Sequence, residues 1–126
     1  MQEKITAGNY LYEPYAPLMK AGYFAWLTHQ WNVRAIAPNS YLFVSDTSIA
    51  RFFGRQFKIS AVSSFNKQDL KQHLQGIQKA NITTRNFPMP VDELRKKLKL
   101  KDGGSTYLFA TTSATGEKLL LVCEKV

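Results

Sequence analysis

The chain has 126 residues, 44% apolar and 13% aromatic, enough for one ordinary domain or two small units sharing a core, and too apolar for wholesale disorder. No apolar run exceeds five residues, as at Leu119–Cys123, which excludes a helical membrane span of about 20, and the opening residues Met1–Thr6 show no secretory signal. The formal charge is +8, and the 35 residues from Lys67 to Lys101 hold +6 of it, which points to a polyanionic partner, nucleic acid before an anionic membrane.

Residues 1–9 read as a polar lead-in. Tyr10-Leu11-Tyr12 has strand character and is closed by Glu13-Pro14. From Pro17 the spacing turns helical, with Met19, Tyr23, Trp26, Leu27 and Trp31 on one face and Asn32 as terminator. Tyr41–Val44 predicts a short buried strand, and Ser45-Asp46 caps a helical turn through Ile49–Phe53. Gly54-Arg55 closes this first segment. Phe57, Ile59 and Ala61 then alternate with Lys58, Ser60 and Val62, predicting a strand to about Ser64. Asn66 caps a helix over 67–78, with Asp69 at N3 forming a capping-box variant and Leu70, Leu74 and Ile77 as its inner stripe. Ala80–Phe87 is a β-branched strand stopped by Pro88. Pro90 opens a helix over 91–99, with Asp92 and Glu93 in the first turn and Val91, Leu94 and Leu98 inward. Asp102-Gly103-Gly104 breaks it. Thr106–Thr111 and Leu119–Glu124 are two nearly continuous apolar strands joined by a hairpin around Ala114-Thr115-Gly116.

The expected fold is α+β. A mixed sheet carries two helices on a common face in the order β-α-β-α-β-β, the helical connections acting as crossovers. A small strand–helix–strand segment, residues 1–54, packs against residues 55–126 through Met19, Tyr23, Trp26 and Leu27.

Catalysis finds little support. His29 and His73 have no Cys, Asp or Glu at metal-ligand spacing beside them, so no metal site is expected. Cys123 is the single cysteine, which excludes an internal disulfide and fits a reducing, cytoplasmic setting; its apolar strand predicts a buried, inert thiol. Gly103-Gly104 follows a helix and precedes a strand, the reverse of a phosphate-cradling loop. The run Arg95, Lys96, Lys97, Lys99 and Lys101 is sharper. Cations at a helix C-terminus gain about 0.3–1 kcal/mol each from the dipole when exposed. They also predict a phosphate-contacting patch, extended by Lys67, Lys71 and Arg85 if the two helices share a sheet face. Arg85-Asn86 ends a strand, where ligands of α/β sheets commonly bind.

Several blocks in order resemble the C-terminal third of a family of bacterial class I S-adenosylmethionine-dependent methyltransferases. They are Tyr10–Pro14 with Leu18–Gly22, Pro38–Leu42, Phe53–Phe57, Lys79–Pro88, Asp92–Leu98 and Gly104–Thr111. The resemblance implies a small ferredoxin-like piece at residues 10–54. It implies a THUMP-like domain at 55–126, named for a fold that RNA-modifying enzymes use to bind RNA. It further implies a methyltransferase domain N-terminal to this region in the same polypeptide, carrying the S-adenosylmethionine site. Asn86-Phe87-Pro88-Met89 has the wrong order for an Asn-Pro-Pro-Tyr catalytic loop, so this region alone is expected to bind no cofactor and transfer no methyl group. Its expected role is an accessory one, binding rRNA or tRNA through Lys67, Lys71, Arg85, Asn86, Arg95, Lys96, Lys97, Lys99 and Lys101. The competing expectation is a docking module that packs on the methyltransferase domain and binds no nucleic acid.

Overall fold

The computed structural model describes residues 8–14, 34–36, 42–45 and 54–126. The helix expected over residues 17–31, with its packing face, the turn through 46–53 and His29 lie outside the described residues. The chain forms β1 (Tyr10–Pro14), β2 (Arg34–Ala35), β3 (Phe43–Ser45), β4 (Gly54–Ser63), α1 (Lys67–His73), β5 (Asn81–Arg85), α2 (Val91–Leu98), β6 (Thr106–Thr112) and β7 (Lys118–Lys125). From β4 onward this is the expected β-α-β-α-β-β order. The two-residue β2 was not anticipated, because Arg34-Ala35 is too short to show any alternation.

All seven strands join one sheet in the order β2-β3-β1-β4-β7-β6-β5. Only β5 and β6 pair in parallel; the other neighbours are antiparallel. The two segments are therefore stitched by a backbone ladder. β1 of the first pairs with β4 of the second from Tyr10↔Lys58 to Pro14↔Gly54.

A β-bulge corrects the alternation expected in β4. Ile59 pairs with Cys123 but Ala61 pairs with Val122, so Ser60 is an extra residue on β4. The phase flips there. Ala61 joins the helix-side cluster and Val62 the opposite one, the reverse of a plain period-2 reading.

Helix α1 is shorter than its apolar stripe predicts. It stops at Leu74, whose N–H reaches the Leu70 carbonyl, and Gly76 at φ +82° then turns the chain through a left-handed conformation. At its start Asn66 accepts a bond from the Gln68 N–H at 2.8 Å. Asp69 takes the Ser64 hydroxyl at 2.6 Å, and the same oxygen accepts the Asn66 N–H at 3.2 Å. The capping box is thus closed through Ser64 rather than directly. Helix α2 begins after Pro90 as expected, with Leu94 fully buried.

The sheet buries both faces. On one, Leu108, Ala110, Leu120 and Val122 pack with Leu94 and Leu100, and Leu70, Leu74, Val91 and Leu98 close over them. Both helices therefore cover the same face. On the other, Phe57, Ile59, Phe109, Leu121 and Cys123 cluster with Leu11, Ile36, Leu42 and Val44 of the first segment. Phe57 sits edge-on to Phe109 with ring centroids 4.9 Å apart. Strands β6 and β7, lying inside the sheet with both faces covered, account for the continuous apolar runs.

Burial pushes the Cys123 thiol far above its ordinary pKa of 9.0. The unfolded chain ionises near that value while the fold keeps the thiol neutral, so the contribution is intact below pH 9 and erodes above it. Between pH 9 and 11 the stability of the native chain should fall more steeply than that of Cys123→Ala, by about 1.4 kcal/mol per pH unit. Paired urea titrations across that range check this, and equal slopes would refute it.

Candidate nucleic-acid interface

Helix α1 and the C-terminal end of α2 frame an open groove of about 790 Å³. Its floor is apolar, formed by Leu70 and Leu74 of α1 and Leu98 of α2. Lys67 and Lys71, one turn apart, rise from the α1 wall, and Lys97 and Lys99 from the other. The amides of Gln68, Gln72 and Gln75 complete the lining. The helical repeat explains the arrangement. Lys67, Leu70, Lys71 and Leu74 follow i, i+3, i+4, i+7 spacing, so each floor leucine is flanked by a cation.

The second wall depends on the end of α2. Lys99 adopts the left-handed conformation, φ +57° and ψ +45°. Around it the Leu100 N–H bonds to the Arg95 carbonyl at 3.2 Å and the Lys99 N–H to that of Lys96 at 3.3 Å, a Schellman turn sealed by buried Leu100. A non-glycine residue there costs about 1–2 kcal/mol. Lys97 places Nζ 5.9 Å from the Phe65 ring centroid, and Phe65 packs on Phe87 at 5.1 Å. Among the described residues Lys67, Lys71, Lys97 and Lys99 form no ion pair, so their charge is left without a carboxylate partner.

The nine expected contact residues divide. Lys67, Lys71, Lys97 and Lys99 meet at the groove. Lys96 and Lys101 are exposed but outside its lining, and Lys101 bridges to Lys79 across the parallel end of the sheet. Arg95 turns inward instead, donating to the Ala80 carbonyl at 3.2 Å and to Asp102 Oδ1 at 3.3 Å, with 22% of its side chain exposed. It braces α2 against β5. Arg85 does not extend the patch, although the helices do share a face. In register with Thr111, it projects from the opposite face and donates to Glu13 Oε2 at 2.5 Å. Asn86 follows it, exposed and at φ +53°. Glu13 also takes Arg55, its cross-strand partner, at 2.6 Å. Neither Glu13 nor Arg55 stood out in the sequence, because their partnership depends on register. The glutamines at 68, 72 and 75 did not stand out either, although their i, i+4, i+7 spacing was a signal that could have grouped them.

Other chemistry is sparse among the described residues. They include no group of three His, Cys, Asp or Glu able to hold a metal, and no helix long and apolar enough to cross a membrane. His73 is tied to its own helix, with Nδ1 2.9 Å from the Asp69 carbonyl oxygen. Gly103 and Gly104 join α2 to β6, and Gly104 packs against the Lys79 stem. That helix–turn–strand order does not fit a cofactor cradle.

Residues 54–125 match the family model described as THUMP domain-like, and residues 10–52 match one described as a ferredoxin-like domain. Among solved structures, the chain is similar to a putative methyltransferase from Porphyromonas gingivalis W83, at 36% identity and a TM-score of 0.86. The likeness covers all of this chain and 31% of that one, so the chain spans about a third of the neighbour's length. No curated protein matches the chain.

The Lys99 backbone yields a prediction with opposed readouts. Lys99→Gly relieves the left-handed strain and removes one groove cation. It should raise stability by about 1 kcal/mol while weakening polyanion binding, checked by urea titration beside a binding isotherm.

Proposed function

The chain belongs to the THUMP domain-like family, and from that premise we propose that it is an accessory region that binds RNA and presents it to a methyltransferase domain of the same polypeptide. The observation that carries this reading is the groove: four lysines without carboxylate partners on two facing walls over a leucine floor. Phosphates of the RNA backbone take the lysines, and a base laid into the groove covers Leu70, Leu74 and Leu98. The glutamine amides supply donors and acceptors to a base or ribose edge. The likeness to the P. gingivalis protein supports the methyltransferase partner. S-adenosylmethionine belongs, on this reading, to that partner domain. The RNA would be one of the cytoplasmic rRNA or tRNA class.

Each phosphate contact releases counterions, and on a single strand the log–log salt slope is about −0.7 per contact. Replacing Lys67, Lys71, Lys97 and Lys99 together by glutamine should flatten the slope by nearly three units, with the fold intact because Leu70, Leu74 and Leu98 are untouched. Lys96→Gln, outside the groove, should change it far less. The measurement is fluorescence anisotropy of an unstructured RNA across a salt series. An unchanged slope in the fourfold variant would overturn RNA binding at the groove and leave a docking role for this face.

A further inference from the structure

Arg85, which the groove does not use, belongs to a second constellation on the other face of the sheet. Glu13 is 9% exposed at its side chain and uses both carboxylate oxygens, Oε1 for Arg55 and Oε2 for Arg85. Arg55 spends Nε and one terminal nitrogen on it. Arg85 spends one terminal nitrogen on Glu13 and the other on the Thr84 carbonyl at 3.1 Å. The cluster therefore carries two positive charges against one negative, and no further acidic group among the described residues pairs with either guanidinium. The arginine side chains are 41% and 37% exposed, so their remaining donors face solvent. Both forks are already fixed: Glu13 holds them from beneath, and Arg55 also lies 5.3 Å over the Phe57 ring centroid. Beside Arg85 in register, Thr111 is fully buried with a hydroxyl that has no hydrogen-bond partner.

We propose that Arg55 and Arg85, pre-set by Glu13, form a second anion site, separate from the groove, that takes a phosphate group. Planar guanidinium forks match phosphate oxygens two at a time, and a fork held in place loses less rotamer entropy on binding than a free one. The buried carboxylate neutralises one of the two cations and orients both, and the residual positive charge is what draws the anion. The phosphate could be a free one or part of an RNA backbone.

The test uses the whole chain in the background of Lys67→Gln, Lys71→Gln, Lys97→Gln and Lys99→Gln, so that the groove cannot contribute. Inorganic phosphate is titrated against chloride at matched ionic strength while the Nε–H signals of Arg55 and Arg85 are followed by NMR. A saturable shift of both signals is expected with phosphate and not with chloride. The double variant Glu13→Gln/Arg85→Gln keeps the net charge and strands no buried carboxylate, and it should weaken phosphate at least tenfold. Arg85→Lys, which keeps charge but loses the fork, should weaken it severalfold and serves if the double variant does not fold. If an RNA oligonucleotide moves the same signals in the native chain, the backbone is the source; if only inorganic phosphate does, a free phosphate is. Either result supports the site. Absence of any phosphate-specific shift at Arg55 and Arg85 overturns it, whatever the groove does.

Discussion

A single carboxylate ties β1 to the far edge of the sheet. Glu13 and Arg85 sit on strands separated by three others, and at about 4.8 Å per spacing a flat sheet would hold those strands roughly 19 Å apart. Their ion pair forms only because the sheet twists and coils until its far parts meet over one face. That same face carries Phe57, Phe109, Leu121 and Cys123, so coiling and burial are one event. Removing water from Glu13 is costly, and two guanidiniums offset the cost. The outer face of the curve is the one left for α1 and α2.

This geometry explains why the chain reads as two family segments yet builds one sheet. The β1–β4 ladder crosses the boundary between residues matched as ferredoxin-like and residues matched as THUMP domain-like. Arg85 adds a side-chain tie from the far edge. A groove on α1 and α2 is thereby held at a fixed angle to β1. On the proposed accessory role that angle matters as much as affinity, because a substrate would have to be delivered in register with a reacting centre elsewhere.

Local signals were legible in the sequence and long-range ones were not. Asn66, Pro90 and the Leu70/Leu74 and Leu94/Leu98 stripes announce both helices, since capping and 3.6-residue periodicity are written within a few residues. The cations were visible as a cluster, but their division was not. Arg95 and Lys97 are two residues apart and fall on different sides of α2, one bracing Ala80 and Asp102, the other lining the groove. Arg85 looked like part of the patch because its partner lies 72 positions away. The end of α1 was missed because the apolar stripe continues through Ile77 while Gly76 ends the helix.

The extra residue at Ser60 has a consequence for how this chain can vary. On either side of it the same strand obeys opposite parity, odd positions inward on the concave face before it and even positions after. Ser60 itself is exposed and has no place in the ladder, because β7 steps from Cys123 to Val122 while β4 steps from Ile59 to Ala61. A deletion there would leave Ala61, Val62 and Ser63 on the faces they hold, since β7 already steps from Cys123 to Val122 without a gap, and would remove only the bend and added twist of the bulge. The count of residues between Ile59 and Ala61 therefore governs how sharply β4 bends, and not which of its side chains are buried.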